Sequence, residues 1–113
     1  MKIINATRNC LLADKAVKAD SFLKRLVGLL DRDHLDEGEG LILDPSNSIH
    51  SFFMRFTFDA LFLDKRNKVV ASMPCFKPCR VSPVFFSAAS TLELPSGTIA
   101  RTSTRLGDQI RIE

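Results

Sequence analysis

The stretch from Ser48 to Asp64, SIHSFFMRFTFDALFLD, holds five of the chain's nine phenylalanines together with His50, Arg55, Asp59 and Asp64. A run this apolar belongs inside a fold, and a polar group buried without a partner costs about 1–3 kcal/mol. Each of the four polar residues must therefore be hydrogen-bonded or paired wherever the run is buried. The pattern specifies a core with defined polar contacts, and it leaves open whether those contacts serve the fold or a function.

At 113 residues the chain has the commonest domain size and should bury roughly 65% of the surface its unfolded form exposes, enough for one core. A single domain over residues 1–113 is expected. The hydrophobic fraction of 45% and charged fraction of 26% are those of an ordinary globular chain. The net charge of +3 is scattered, whereas a nucleic-acid binder gathers its basic residues into a stripe. The nearest cluster, Lys65, Arg66 and Lys68, reads as a hairpin tip, so no nucleic-acid partner is expected. The first residues contain no signal-like apolar segment and no long apolar run follows, so neither membrane insertion nor export is expected. Three cysteines, an odd number, argue against a disulfide framework and for a reducing, cytoplasmic setting.

Along the chain, Lys2 to Ile4 and Cys10 to Ala13 read as two edge strands or a hairpin. Phe22, Leu23, Leu26, Val27, Leu29 and Leu30 recur at helical spacing, predicting a helix over residues 20–30 with Asp20 or Ser21 as its cap. Asp31 to Gly40 is an acidic loop, Leu41 to Leu43 a strand, and Asp44-Pro45-Ser46-Asn47 a turn. Strands are expected at Ile49 to Phe53, Phe58 to Leu63 and Lys68 to Met73, with Asp64 to Asn67 as a hairpin tip. Three prolines between Pro74 and Pro83 should then interrupt any ladder. Ala88 to Leu94 and Gln109 to Ile112 read as strands and Thr98 to Thr102 as a helical turn. The expected fold is α+β and mostly β: a small barrel-like or rolled sheet of six to eight short strands with one packed helix.

The segments RLVGLLDRDHL, EGEGLIL, NSIHSFFMRF, FDALFLD, VSP and LELPSGTIARTSTRLGDQIRI, in that order, resemble the DUF192 (UPF0127) family of small bacterial and archaeal proteins. The resemblance spans about Asp20 to Ile112. It implies a compact β-barrel-like domain with a packed helix, and implies no particular activity. The family's motif residues fall on Gly28, Gly40, Asn47, His50, Phe53, Met54, Arg55, Asp59, Asp64, Arg80, Glu93, Gly97, Gly107 and Asp108. Where similar relatives carry a cysteine, a proline and a Pro-Trp-Arg triplet, this chain has Ser46, Thr57 and Pro78-Cys79-Arg80.

His50 suits a ligand or a general base, because its ordinary pKa lies near neutrality, and it equally suits a satisfied core position. If His50 and Phe52 share a strand face, Ser51 and Phe53 point the other way; Met54 then joins His50 and Arg55 lies opposite. Arg55 and Asp59 are spaced to form an ion pair across a bend at Phe56-Thr57; alternatively, Arg55 and Arg80 converge on an anionic ligand. Cys75 and Cys79 are four apart but lack a second ligand pair for zinc, so two unlinked thiols are expected, with no metal and no cofactor. The acidic stretch from Asp31 to Glu39 lacks the glycine and terminal glutamate of an EF-hand loop, and no nucleophile elbow or phosphate loop occurs. Three functions remain open. One is a non-catalytic binding module with a site at His50, Met54, Arg55, Asp59, Cys79 and Arg80, taking a small anionic ligand or a protein partner. The second is an enzyme using His50 with Asp59 or Glu93 as acid and base, and the third is a structural piece of a larger assembly.

Overall fold

Two strands carry the architecture, Phe58–Leu63 and Ser90–Pro95, and nearly every residue in both is buried. Burial on both faces of a strand means that a layer lies on each side of its sheet. The computed structural model describes residues 1–19, 33–52 and 54–113. The helix expected over residues 20–30, with its caps, lies outside the described residues, as does Phe53.

Among the described residues there are eight strands in two sheets and one short helix. The first sheet takes β1 (Ile3–Asn5), β2 (Cys10–Ala13) and β8 (Ile110–Ile112) in the order β2-β1-β8, with both pairings antiparallel. The second takes β3 (Lys15–Ala19), β4 (Glu39–Leu43), β5 (Phe58–Leu63), β6 (Val69–Phe76) and β7 (Ser90–Pro95) in the order β3-β4-β7-β5-β6. Only β3 and β4 run parallel; the other pairs are antiparallel. The helix, α1, is Thr98–Thr102. The strands form two sheets rather than a closed barrel.

Side-chain alternation assigns the two faces of the larger sheet. Leu61 and Leu63 of β5, with Leu92 and Leu94 of β7, meet Ile3, Leu12 and Ile110 of the smaller sheet in one core. On the opposite face Phe58, Ala60 and Phe62 join Ile49, Met54, Phe56 and Phe76. The rings there are tilted or edge-on: Phe58 lies 5.6 Å from Phe76 and 6.4 Å from Phe56, and Phe62 lies 4.5 Å from Phe85. Such pairs add about 0.5–1.5 kcal/mol beyond area burial.

Four expectations change. The segment KAVKA from Lys15 to Ala19, left unassigned in the sequence, is a strand paired in parallel with β4. Strand β6 runs through Pro74 to Phe76 rather than ending at Met73, which is possible because β6 is an edge strand and proline there forfeits no ladder bond. Of the strand expected over Ile49 to Phe53, the described residues form a single bridge, His50 to Val81. Finally, β1 is central, because β8 returns to pair with it.

That return is fastened by a buried polar network. The Asn5 side-chain amide donates to Asp108 Oδ2 at 2.9 Å and Thr104 Oγ1 at 3.0 Å, Arg8 Nε donates to Asp108 Oδ2 at 2.7 Å, and the Arg105 amide donates to the same oxygen at 3.1 Å. Burial pushes the Asp108 carboxyl up, but the bonds from Asn5, Arg8 and the Arg105 amide, with the charge of Arg8, outweigh it and hold the pKa below its ordinary 3.8. A carboxyl lowered by folding stabilises fully above its unfolded pKa, and the contribution is lost as pH falls through the lower folded value. Asp108→Asn should therefore cost about 1–3 kcal/mol at neutral pH, and the gap between variant and parent should shrink in acid below pH 3.8. Melting temperatures of both proteins across that range check this.

Candidate functional site

Residues 46–52 and 77–89 lie side by side, joined by side-chain bonds more than by a regular ladder. Ser51, buried, is the principal clamp: its hydroxyl donates to the Lys77 carbonyl and accepts from the Arg80 amide at 3.0 Å. Its own amide donates to the Arg80 carbonyl at 2.9 Å, and its carbonyl accepts from the Cys79 amide at 3.0 Å and the Met54 amide at 3.1 Å. Ser82, also buried, repeats the device, its hydroxyl accepting from the Ile49 amide at 2.9 Å and its amide donating to the Ile49 carbonyl at 2.8 Å. Farther along, the Phe85 amide donates to the Asn47 carbonyl and the Ser46 amide to the Ala89 carbonyl. Buried hydroxyls satisfied in this way replace the regular ladder that proline-rich sequence withholds.

With Ile49, Ser51 and Ser82 turned inward, the outer side of this ribbon carries His50, Phe52 and Val81. The His50 and Phe52 rings lie 5.3 Å apart, and the Phe52 amide points at His50 Nδ1 across 3.4 Å. Phe52 is 44% exposed and Val81 60%. Arg80 is exposed beside them, curled so that its guanidinium donates to the Cys79 carbonyl at 3.3 Å. Cys79 is exposed with φ 58°, as is Cys75 with φ 52°. All three cysteines are free, and the Ser96 hydroxyl donates to Cys75 Sγ at 3.3 Å.

The structure thus gathers His50, Cys79 and Arg80 of the expected site and separates the rest. Met54 is buried in the phenylalanine core instead of joining His50 and Phe52 outside, because the turn closed by its amide on Ser51 breaks the two-residue alternation. Arg55 is exposed and lies 3.8 Å from Asp33, so the expected pair with Asp59 does not form. Asp59 is fully buried on β5 and serves the backbone: Oδ1 accepts from the Cys75 amide at 2.9 Å and the Gly97 amide at 3.2 Å, and Oδ2 from the Ile99 amide at 2.8 Å. It fastens β6 and the start of α1 to β5. Gly97 enters α1 at φ 95°, a conformation glycine adopts without strain. Glu93 is fully buried in β7, opposite Leu41 of β4 and Ala60 of β5. Among the described residues no three His, Cys, Asp or Glu side chains gather to hold a metal ion, and no helix is long and apolar enough to cross a membrane.

A feature that residue-by-residue reading passes over is a cleft of about 670 Å³ between the turn after β4 and the β5–β6 hairpin tip. Both turns were legible; that they face each other was not.

Residues 3–112 match the family model DUF192, described as an uncharacterized ACR, and the chain belongs to that family. It is 32% identical over 112 residues to a UPF0127 protein of Pyrococcus horikoshii, covering 96% of both chains. It is 30% identical to a UPF0127 protein of Thermococcus sibiricus, covering 96% of this chain and 72% of that one. A crystal structure of a protein of unknown function from Novosphingobium aromaticivorans superposes with a TM-score of 0.83 at 18% identity, over 98% of this chain and 84% of that one. The last similarity is one of fold.

Proposed function

We propose that the chain is a non-catalytic binding module that takes an acidic protein partner on the outer side of the ribbon. The observation that carries this reading is the placing of Phe52, His50 and Val81 on the outside of a segment whose inner side is clamped by Ser51 and Ser82, with the exposed Arg80 adjoining Val81 in the chain. Exposed aromatic and branched side chains beside a guanidinium offer apolar contact and a charge preference together. The exposed side chains continue to Phe86, 91% exposed. The two carboxylates considered as acid or base partners for His50 are buried, Asp59 on three backbone amides and Glu93 in the sheet. An exposed, stiffened surface of this kind suits docking better than chemistry.

Two synthetic peptides test the proposal, one alternating glutamate with leucine and one alternating lysine with leucine, each titrated into ¹⁵N-labelled protein. The acidic peptide should move the amide resonances of His50, Phe52 and residues 77–81, more weakly as salt rises. Arg80→Glu should weaken that binding about tenfold, or about 1.4 kcal/mol, and Phe52→Ala should weaken it at every salt concentration. Equal shifts from both peptides, or none from either, would refute the proposal.

A further inference from the structure

We propose that the cleft between the two turns is a second binding site, lined by none of His50, Phe52, Arg80 and Val81, for a hydroxyl-rich ligand of the carbohydrate class. Its lining brings Asp44 and Asn47 on one side against Asp64, Lys65 and Asn67 on the other, with Ser90 at the start of β7 between them. The frame is fixed from behind: the Ser46 amide donates to the Ala89 carbonyl at 2.9 Å and the Ala89 amide to the Leu63 carbonyl at 2.7 Å.

What sets the cleft apart is unspent hydrogen-bonding capacity. Asp64 Oδ1 accepts from the Arg66 amide at 2.8 Å and the Lys68 amide at 2.9 Å, while Oδ2 has no partner among the described residues. Asp44 and Lys65 make no side-chain bond or ion pair there either. Ser90 is only 6% exposed as a residue and lines the cleft, and its hydroxyl, which makes no hydrogen bond among the described residues, reaches solvent. It is thereby open to a ligand in the cleft.

The chemistry of the lining selects the class. No aromatic or long aliphatic side chain lines the cleft, which disfavours lipids and flat heterocycles. Within the lining two carboxylates face one ammonium, so no cationic pocket for a phosphate or carboxylate forms there, although Arg66 and Lys68 lie close to Asp64. A polyol suits it: hydroxyls donate to Asp44 and Asp64 and accept from Lys65 and the two asparagine amides. The Lys68 amide, ahead of the other contacts, holds the Asp64 carboxyl below its ordinary pKa, so it remains an acceptor into mild acid. The volume falls within the range of about 300–1,000 Å³ typical of small-ligand sites.

The test is a ¹⁵N-HSQC titration of the full chain with glucose, galactose and mannose, and in parallel with maltotriose and cellotriose. The same sugars are added to the Asp44→Ala/Lys65→Ala double variant, which removes no internal bond and should fold. Saturable shifts confined to Asn47, Lys65, Asn67 and Ser90, at least tenfold weaker in the variant, are expected. Tighter binding of the trisaccharides would identify a glycan chain as the source, and equal binding a free sugar. Absent or scattered shifts, shifts unchanged in the variant, or cleft shifts produced by ethylamine but by no sugar would overturn the proposal.

Discussion

Asp59→Ala should lower the unfolding free energy by about 3–5 kcal/mol and the melting temperature by more than about 10 °C. Its carboxylate accepts from three backbone amides contributed by Cys75, Gly97 and Ile99. Bonds to a charged acceptor are worth about 1.5–3 kcal/mol each, so their sum exceeds the expected loss. The difference is the desolvation cost of the buried carboxylate, several kcal/mol, which alanine no longer carries. Asp59→Asn should lose nearly as much, because one oxygen becomes an amide group that cannot accept from the facing N–H. Urea unfolding gives the magnitude, and faster hydrogen exchange at the amides of residues 75, 97 and 99 would tie the loss to these bonds. A loss below about 1 kcal/mol would mean that water satisfies the three amides and that Asp59 does not organise this corner.

Phe58→Ala should cost a comparable amount, about 3–5 kcal/mol. Phe58 is fully buried, packed between Phe56 and Phe76 in the face formed where β5 meets β6. Removing the ring leaves a cavity walled by strands on one side and other aromatic rings on the other, so collapse is limited and the cost lies toward the upper end. Phe86→Ala is the control: at 91% exposure its loss should stay within about 0.5 kcal/mol. Equilibrium unfolding of the two variants side by side separates packing from composition, since both remove the same side chain.

Both residues bear on what could be read before the structure. The phenylalanine run announced a buried core, and the strand at Phe58 to Leu63 followed from it. The partners of its polar residues were not legible. Arg55 is four positions from Asp59, and pairing them was the local solution. The actual donors come from residues 75, 97 and 99, which only the tertiary fold delivers to β5. Met54 was misplaced for a related reason: alternation predicts a face only while the strand lasts, and the turn at Ser51 ends it. His50, Cys79 and Arg80 did prove neighbours, because the bridge from His50 to Val81 joins the two segments that carry them. The cleft lay hidden for the opposite reason. Aspartate, asparagine and serine in a turn are sufficiently explained by turn chemistry, so nothing in either turn called for a ligand.

The place of β1 between β2 and β8 also has a consequence during synthesis. Asn5 is made early and can pair at once with Cys10, but its bond to Asp108 spans 103 residues. At about 5–20 residues per second the ribosome leaves that strand half-partnered for roughly 5–20 s. A hairpin alone is marginal in water, so the smaller sheet cannot be completed before β8 is available, whatever the larger one has achieved on the way. Until β8 arrives, Ile3 and Leu12 lack Ile110, their core neighbour from that strand, so the packing of one end of the chain waits on a strand made some hundred residues later.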